Sequence, residues 1–477
     1  MSAKTAYAGQ SAPGSRSRPD APAVSRLAAA LRGLLGERLL SKEAQLRPFA
    51  GGEGHHGEHL PDLVARVASV EEVSAVVGAC AREGVPVVPY GAGTSLEGNA
   101  AAVAGGLCLD LSSMNRILEV DAENMLCVVE PGVTRSRLNT ELRDTGLWFP
   151  VDPGADATLA GMISTRASGT TAIRYGTMRE NTLGLKVVLP DGGLVRTGTR
   201  ARKTAAGYDL THLFVGAEGT LGVVAEATIR LHPIPEGVLA ASWPFETLDG
   251  AVRAVMAMAY AAVPVARVEL LDEVAIRACN RYSAMSLPEL PTLFVELHGS
   301  PERVDHDAAL LKSVGEDLGA GRLSLASDAQ GRASLWAARH AALPAARALA
   351  PGASVWTTDV CVPVSKLAEV IGAARLGIDA AGLTAPIVGH VGDGNFHVFF
   401  VLPADDLDTR RRAATVNEAM VEHALSVGGT CTGEHGIGIG KQDALVREHG
   451  VEAVTLMRQL KTAVDPQGIM NPGKIFT

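Results

Sequence analysis

The spacing of apolar positions changes along the chain, and each change marks an element. Leu27, Leu31, Leu34 and Leu35 fall at helical spacing and predict a helix over residues 25–40. Ser69-Val70-Glu71-Glu72 has the form of a capping box, opening a helix that stops at Gly84. Apolar runs of strand type follow at 85–89, 107–111 and 126–130, with a helix over 135–144. Residues 150–180 are dense in Gly, Thr, Ser and Asp without periodicity, and so long an irregular stretch in a domain is usually functional. Two strand-like runs flank Asp191-Gly192, and 214–231 reads as strand around Gly216–Gly222. His232-Pro233-Ile234-Pro235 then interrupts the pattern and serves as a domain boundary. Beyond it, helices at 248–261, 305–318, 367–381 and 408–427 alternate with strands at 292–297, 385–391 and 396–401. The expected organisation is a tail and lead-in helix over 1–55, one domain over 56–235 and a second over 236–477.

Composition narrows the class. A chain of 477 residues, 47% hydrophobic and 20% charged, exceeds a single core and is globular. A net charge of −9 argues against nucleic acid or anionic lipid as partner. Its apolar runs break well short of the roughly 20 residues a membrane span needs. The cysteines at 80, 108, 127, 279, 361 and 431 form no CxxC pair, which fits reduced thiols in a cytosol. The first 25 residues, rich in Ala, Ser, Pro and Arg, have no apolar leader and read as a flexible tail. A cytoplasmic protein is expected, with a peripheral membrane location or organelle targeting as the weaker alternatives.

Candidate chemistry sits near the end of the chain. In Gly389-His390-Val391-Gly392-Asp393-Gly394-Asn395-Phe396-His397, an Asp-Gly pair between apolar runs is a strong signal for a two-residue hairpin loop. That turn would set His390 opposite His397, with Cβ atoms roughly 5 Å apart on one face. Two imidazoles so placed can share a metal ion, with Glu434 as a third, oxygen ligand, and that donor set leaves positions open for substrate. Alone, the hairpin fits a metal site and a pair of solvent-facing histidines equally well. His55 and His56 lie in a Gly-, Glu- and His-rich stretch, 51–59, that reads as a solvated loop. Tyr90-Gly91-Ala92-Gly93-Thr94-Ser95-Leu96-Glu97-Gly98 follows a strand and is neither a Walker loop nor a Rossmann fingerprint. Its glycines would let backbone N–H groups approach a phosphate. A second segment with Pro131, Gly132, Asp152, Pro153, Gly154, Thr158, Gly161, Ser168 and Gly169 suits the far side of a long diphosphate ligand.

Six motifs in order, Pro89–Gly98, Val151–Gly154, Gly216–Gly222, Gly389–His397, Gly433–Gly436 and Asn471–Lys474, resemble the FAD-dependent D-2-hydroxyacid dehydrogenases of the vanillyl-alcohol oxidase superfamily, over roughly residues 60–476. The resemblance implies an α+β fold: a two-part FAD-binding domain followed by a C-terminal cap with antiparallel sheet and helices. It implies FAD held by Tyr90, Gly91, Ala92, Gly93, Thr94, Ser95, Gly98, Pro131, Gly132, Asp152, Pro153, Thr158, Gly161, Ser168, Gly169, Gly222, Val223 and Asn471. Some superfamily members bond flavin covalently through a histidine in the glycine loop. Thr94 stands about there, so the FAD is expected to be non-covalent. His390, His397 and Glu434 become ligands of a divalent metal, zinc or manganese. His435 becomes the base and Arg339 the partner of the substrate carboxylate. Neighbouring side chains diverge, so Glu434 and His435 are expected to face different ways.

The physical logic stands beside the resemblance. Oxidising a 2-hydroxy acid removes a hydroxyl proton of high pKa, which a Lewis acid lowers and a histidine accepts. Relatives that act on D-2-hydroxyglutarate carry a Lys just before the Asp equivalent to Asp359, where this chain has Thr357 and Thr358. D-lactate is therefore the expected substrate, with glycolate or D-2-hydroxyglutarate as alternatives and a cytochrome, quinone or flavoprotein as electron acceptor. A homodimer is compatible with the resemblance. The rival reading from another class is a zinc hydrolase; a non-catalytic flavin-binding subunit is a third. Without the resemblance, Arg339 would read as a surface arginine on a helix.

Overall fold

A computed structural model of the chain describes residues 17–315, 317–404 and 406–476. The lead-in helix runs Ala21–Leu35, earlier than its leucines suggest, because Asp20 caps it at Ala23 N and Gly36 ends it at φ 54°. Its buried face packs on the helix Val70–Glu83, whose cap is the predicted Ser69. The capping box is only half made. Glu72 turns away to accept from Ala68 N and to pair with Arg38.

The first half of the chain carries two larger sheets and a two-stranded pair of Leu147–Trp148 with His232–Pro233. One is four-stranded, in the order Leu39–Leu40, Leu63–Arg66, Leu107–Asp110, Val87–Tyr90, parallel apart from its first pair. The other is antiparallel: Ile117–Asp121, Leu126–Val129, Val223–Arg230, Thr182–Val188, Leu194–Gly198. Between them the irregular 150–180 region is more ordered than its composition suggests. It holds the short helices Leu159–Thr165, Ala172–Tyr175 and Met178–Asn181.

The second half is built on one antiparallel sheet, in the order Ser324–Ala326, Gly237–Pro244, Thr292–Gly299, Val265–Leu271, Ile387–His390, Asn395–Leu402, Ser354–Thr357; Val360–Cys361 also pairs with Asn395–Leu402. Helices Leu248–Tyr260, Pro301–Val314 and Leu367–Ala380 cover one face around Trp243, Phe245, Phe396 and Phe400. Glu273–Ser283 and Ala329–Ala348 cover the other around Phe294 and Trp336. The strands Gly237–Pro244 and Val265–Leu271 and the helices Glu273–Ser283 and Gln442–Val464 have no counterpart among the sequence expectations. This is the expected two-part flavin domain with an antiparallel cap. No helix among the described residues is long and apolar enough to cross a membrane.

The C-terminus returns to the first half. Met470 pairs with Val87 beside the parallel strands, and Asn471 Nδ2 donates to both Asn99 O (2.8 Å) and Glu218 O (2.7 Å).

Candidate active site

A cavity of about 580 Å³ runs from the glycine loop to the hairpin histidines. At one end the loop Tyr90–Ser95 faces Pro131, Asp152, Pro153, Thr158 and Gly161, with Gly222 alongside. The fit there is close: a Cβ on Gly91 would lie 2.3 Å from Thr158 Oγ1. At Gly91 only a glycine fits against the Thr158 side chain, so the loop backbone comes close there, as a diphosphate approached by N–H groups requires.

The remaining residues expected to touch the cofactor sit behind this wall. A Cβ at Gly132 would lie 2.6 Å from Leu111 O, and one at Gly169 2.5 Å from Asp152 Oδ1, so both glycines let neighbouring chain pack. Gly98 lies under Ile439. Ser168 is off the cavity, Val223 is wholly buried in the core of the first half, and Asn471 ties loops together from beneath. The loop 51–59 is solvated only in part: Gly52, Glu53, Gly57 and Glu58 are exposed, the rest half-buried. Gly52 and Gly54 press on the backbone of Ser95 and Leu96, His56 Nε2 sits 3.3 Å from Glu97 Oε2, and the His55 ring lies tilted against Trp356. Burial, helped by His56, lowers the pKa of His55 to about 4. Neither histidine lines the cavity.

At the other end the hairpin forms with a different register. His390 opposes Asn395 and His397 opposes Val388, so the loop spans four residues in place of the Asp393-Gly394 pair. Asp393 N donates to His390 O and Gly394 N to Val391 O, two overlapping turns that carry Val391 into the core. The slip is by two residues, so both histidines keep the same face, as diagonal neighbours with ring centroids 5.3 Å apart. Their outer nitrogens converge: His390 Nε2 and His397 Nε2 each lie 3.3 Å from Glu434 Oε1. Their inner nitrogens are engaged. His397 Nδ1 meets Thr358 O at 2.9 Å and so carries the proton, while His390 Nδ1 meets Glu269 Oε1 at 2.7 Å. Were both rings neutral with protons on Nδ1, two imidazole lone pairs would face one carboxylate oxygen; Glu434 Oε2 is buried with no partner. Lone pairs facing one oxygen repel unless a cation stands among them, and N–H···O bonds behind ligating histidines are the usual way to fix that tautomer. The donor set fits a divalent ion.

His435 lines the same end, with Nε2 3.9 Å from Glu434 Oε1 and its ring stacked on His397 at 5.2 Å. Glu434 and His435 therefore converge where divergence was expected. Both of their N–H groups, each at 3.0 Å, bond to Asp359 Oδ2, which bends the backbone around one buried carboxylate. Burial lowers the His435 pKa, with Asp359 opposing. Burial would also lower His390, but Glu269 and Glu434 more than offset it and hold it well above its ordinary value.

Arg339 is no surface arginine. Its side chain is 16% exposed on the helix Ala329–Ala348, and Nε donates to Glu269 Oε2 at 2.6 Å. Among the described residues no other carboxylate pairs with it, and the residue lines the cavity. Thr357 lines the cavity. Thr358 does not: it is buried, and its hydroxyl accepts from Val398 N.

Sequence reasoning missed the residues that hold these groups in place: Glu269, Asp359 as a hub, Glu218, Glu97 and Lys441. The signal for Glu269 was a carboxylate in the otherwise apolar run Val268–Leu271, where burial without a partner would cost several kcal/mol. Lys441 lies between Glu97 Oε1 (3.3 Å) and Asp359 Oδ2 (3.5 Å).

Comparisons with known proteins agree with this architecture. Residues 61–198 match the model of an FAD binding domain, and residues 234–475 that of the C-terminal domain of FAD linked oxidases. The chain is 46% identical over 458 residues to a probable D-lactate dehydrogenase, mitochondrial, of Danio rerio, covering 95% of this chain and 92% of that protein. It is 44% identical to a D-lactate dehydrogenase (cytochrome), mitochondrial, of Arabidopsis thaliana, covering 88% and 74%. Among solved structures it resembles a 4-ethylphenol oxidase of Gulosibacter chungangensis, at TM-score 0.81 and 18% identity over 96% of this chain and 98% of that one. The names of these relatives overturn the cytoplasmic placement: both are mitochondrial, and thiols reduced in a cytosol are equally reduced in other compartments without disulfide chemistry. The chain belongs to the FAD-linked oxidases, among the FAD-dependent D-2-hydroxyacid dehydrogenases.

Proposed function

We propose that this enzyme oxidises D-lactate to pyruvate with non-covalent FAD and a divalent ion, zinc or manganese, and passes the electrons to a cytochrome or quinone. The observation that carries the reading is the shared cavity. A backbone-lined cradle at one end meets Arg339, His435 and the His390–His397–Glu434 donor set at the other. When bound, FAD supplies the acceptor for the hydride that leaves C2. A divalent ion held by His390, His397 and Glu434 would supply a Lewis acid for the 2-hydroxyl.

The chain's own residues do the rest. Arg339 binds the carboxylate through its terminal nitrogens, since Nε is committed to Glu269. Glu269 orients both Arg339 and His390, so the carboxylate anchor and a metal ligand are fixed by one buried group. His435 takes the hydroxyl proton at Nε2, the ring nitrogen nearer Glu434. Thr357 stands where a second carboxylate would need a cation, which disfavours dicarboxylates. The relatives' names, together with the cavity, favour a mitochondrial D-lactate dehydrogenase over a glycolate oxidase subunit.

Anaerobic addition of D-lactate to the purified yellow protein should bleach its flavin, and acid precipitation should leave that flavin in the supernatant. A flavin that stays oxidised under D-lactate would refute the substrate, and a yellow pellet the non-covalent link.

A further inference from the structure

Glu218 is buried, at 4% exposure, and sits in the left-handed region at φ 52° between Ala217 and Gly219. A residue with a Cβ is strained in that conformation and keeps it only where its surroundings over-determine it. Here they do. Glu218 N donates to Ser164 O at 2.8 Å, and Glu218 O accepts from Asn471 Nδ2 at 2.7 Å. The carboxylate accepts from Asn99 Nδ2 (2.7 Å), Ile437 N (2.7 Å) and Gly438 N (2.9 Å).

These partners come from both halves of the molecule. Ser164 lines the cavity, Asn99 closes the glycine loop, and Ile437 and Gly438 follow His435. The loop of the base is thus held by two carboxylates. Asp359, from the cap, takes the N–H groups of Glu434 and His435; Glu218, from the flavin domain, takes those of Ile437 and Gly438. The contact is tight, since a Cβ on Gly436 would lie 2.7 Å from Glu218 Oε1.

We propose that Glu218 is a positioning residue that locks the His435 loop to the flavin cradle, so the base is held in place across the junction of the two halves. This rests on reading His435 as the base. A carboxylate is required because three N–H donors converge on it. Glutamine has one acceptor oxygen and would turn its own NH₂ toward a donor.

The test uses FAD-loaded Glu218→Gln and Glu218→Asp. Amide hydrogen exchange over the segment holding Ile437 and Gly438 is followed beside the rate of anaerobic flavin reduction by D-lactate per bound flavin. Because hydrogen bonds to a carboxylate are stronger than those to a neutral amide, Glu218→Gln should speed exchange there and slow reduction by about 10- to 100-fold. Flavin content and the apparent Kd for D-lactate should stay within about threefold, because Arg339 lies outside this network. Glu218→Asp, which keeps the charge but falls short of the loop, should be intermediate. Unchanged exchange with flavin bound, a reduction rate within twofold of wild type, or loss of flavin in step with the rate in both variants would overturn the proposal. If D-lactate fails to reduce the wild type, the substrate reading is wrong, while the exchange data still decide the role of Glu218.

Discussion

The two ends of the cavity are built by opposite means. The end proposed to cradle the flavin is lined by the glycine loop, Gly91 to Thr94, facing Pro153 to Gly161. The cap end is made of charged and titratable side chains, and each is gripped from behind: His390 by Glu269, His397 by Thr358 O, the Glu434 and His435 backbone by Asp359. A ligand bound through backbone donors needs no side chain of its own, whereas a donor set for a cation works only if tautomer and direction are fixed in advance. Changes in the cradle should therefore act through added volume, and changes in the cap through lost donors.

The largest effect expected from that contrast is in the cap. His390→Ala or His397→Ala should abolish turnover while the flavin absorbance of the purified protein is retained, and chelation should do the same, with activity restored by Zn²⁺ or Mn²⁺. Parallel loss of flavin and activity would show that the hairpin is merely structural and that the two ends are not separable. The next effect concerns selectivity. Arg339 can hold one carboxylate, and Thr357 offers no charge to a second. Leaving a carboxylate unpaired there costs several kcal/mol before partial solvation, and each 1.4 kcal/mol is about tenfold in rate. The kcat/KM for D-lactate should exceed that for D-2-hydroxyglutarate by about 10²-fold, with L-lactate nearly inert. Equal rates on the dicarboxylate would mean that a cation reaches the cap end unseen in this geometry.

How far the two ends could be read from the chain differs for the same reason. The hairpin histidines were legible because strand alternation fixes a face, and a slip of two residues does not change it. The loop itself was not. Val391 is drawn into the core, a Cβ on Gly392 would lie 2.4 Å from Ile173 Cδ1, and one on Gly394 1.9 Å from Val362 O, so distant packing outweighs the local Asp-Gly preference. The glycine loop was legible as a phosphate-type turn, yet Gly98, Gly132 and Gly169 serve packing behind it, and composition alone does not separate a glycine that faces a ligand from one that admits a neighbouring backbone. Glu218, Glu269 and Asp359 bond to residues far along the chain, Ile437, Arg339 and Thr432 among them, and no local pattern encodes such partners. The 51–59 loop misled for the opposite reason: its composition is that of a solvated segment, while Gly52 and Gly54 lie against Ser95 and Leu96.

The smallest effect tests the cradle as a matter of volume. Gly91 has no need of the left-handed region, so Gly91→Ala is a steric change alone. The new methyl would stand 2.3 Å from Thr158 Oγ1, the group that caps the helix Leu159–Thr165 at Gly161 N. Thr158 has little freedom to retreat, because its C=O also accepts from Met162 N at 2.9 Å. Overpacking of this kind typically costs about 1–3 kcal/mol, so FAD should bind roughly 10- to 100-fold more weakly, read as the Kd for flavin added back to apoprotein. Residues in contact do not add independently. Replacing Thr158 with Ala in the same chain removes the Oγ1 that the methyl meets, so the double variant should recover part of the affinity lost by Gly91→Ala alone. If instead the two losses simply sum, the wall at Gly91 is not set by Thr158, and the cradle depends on side-chain chemistry more than its backbone lining implies.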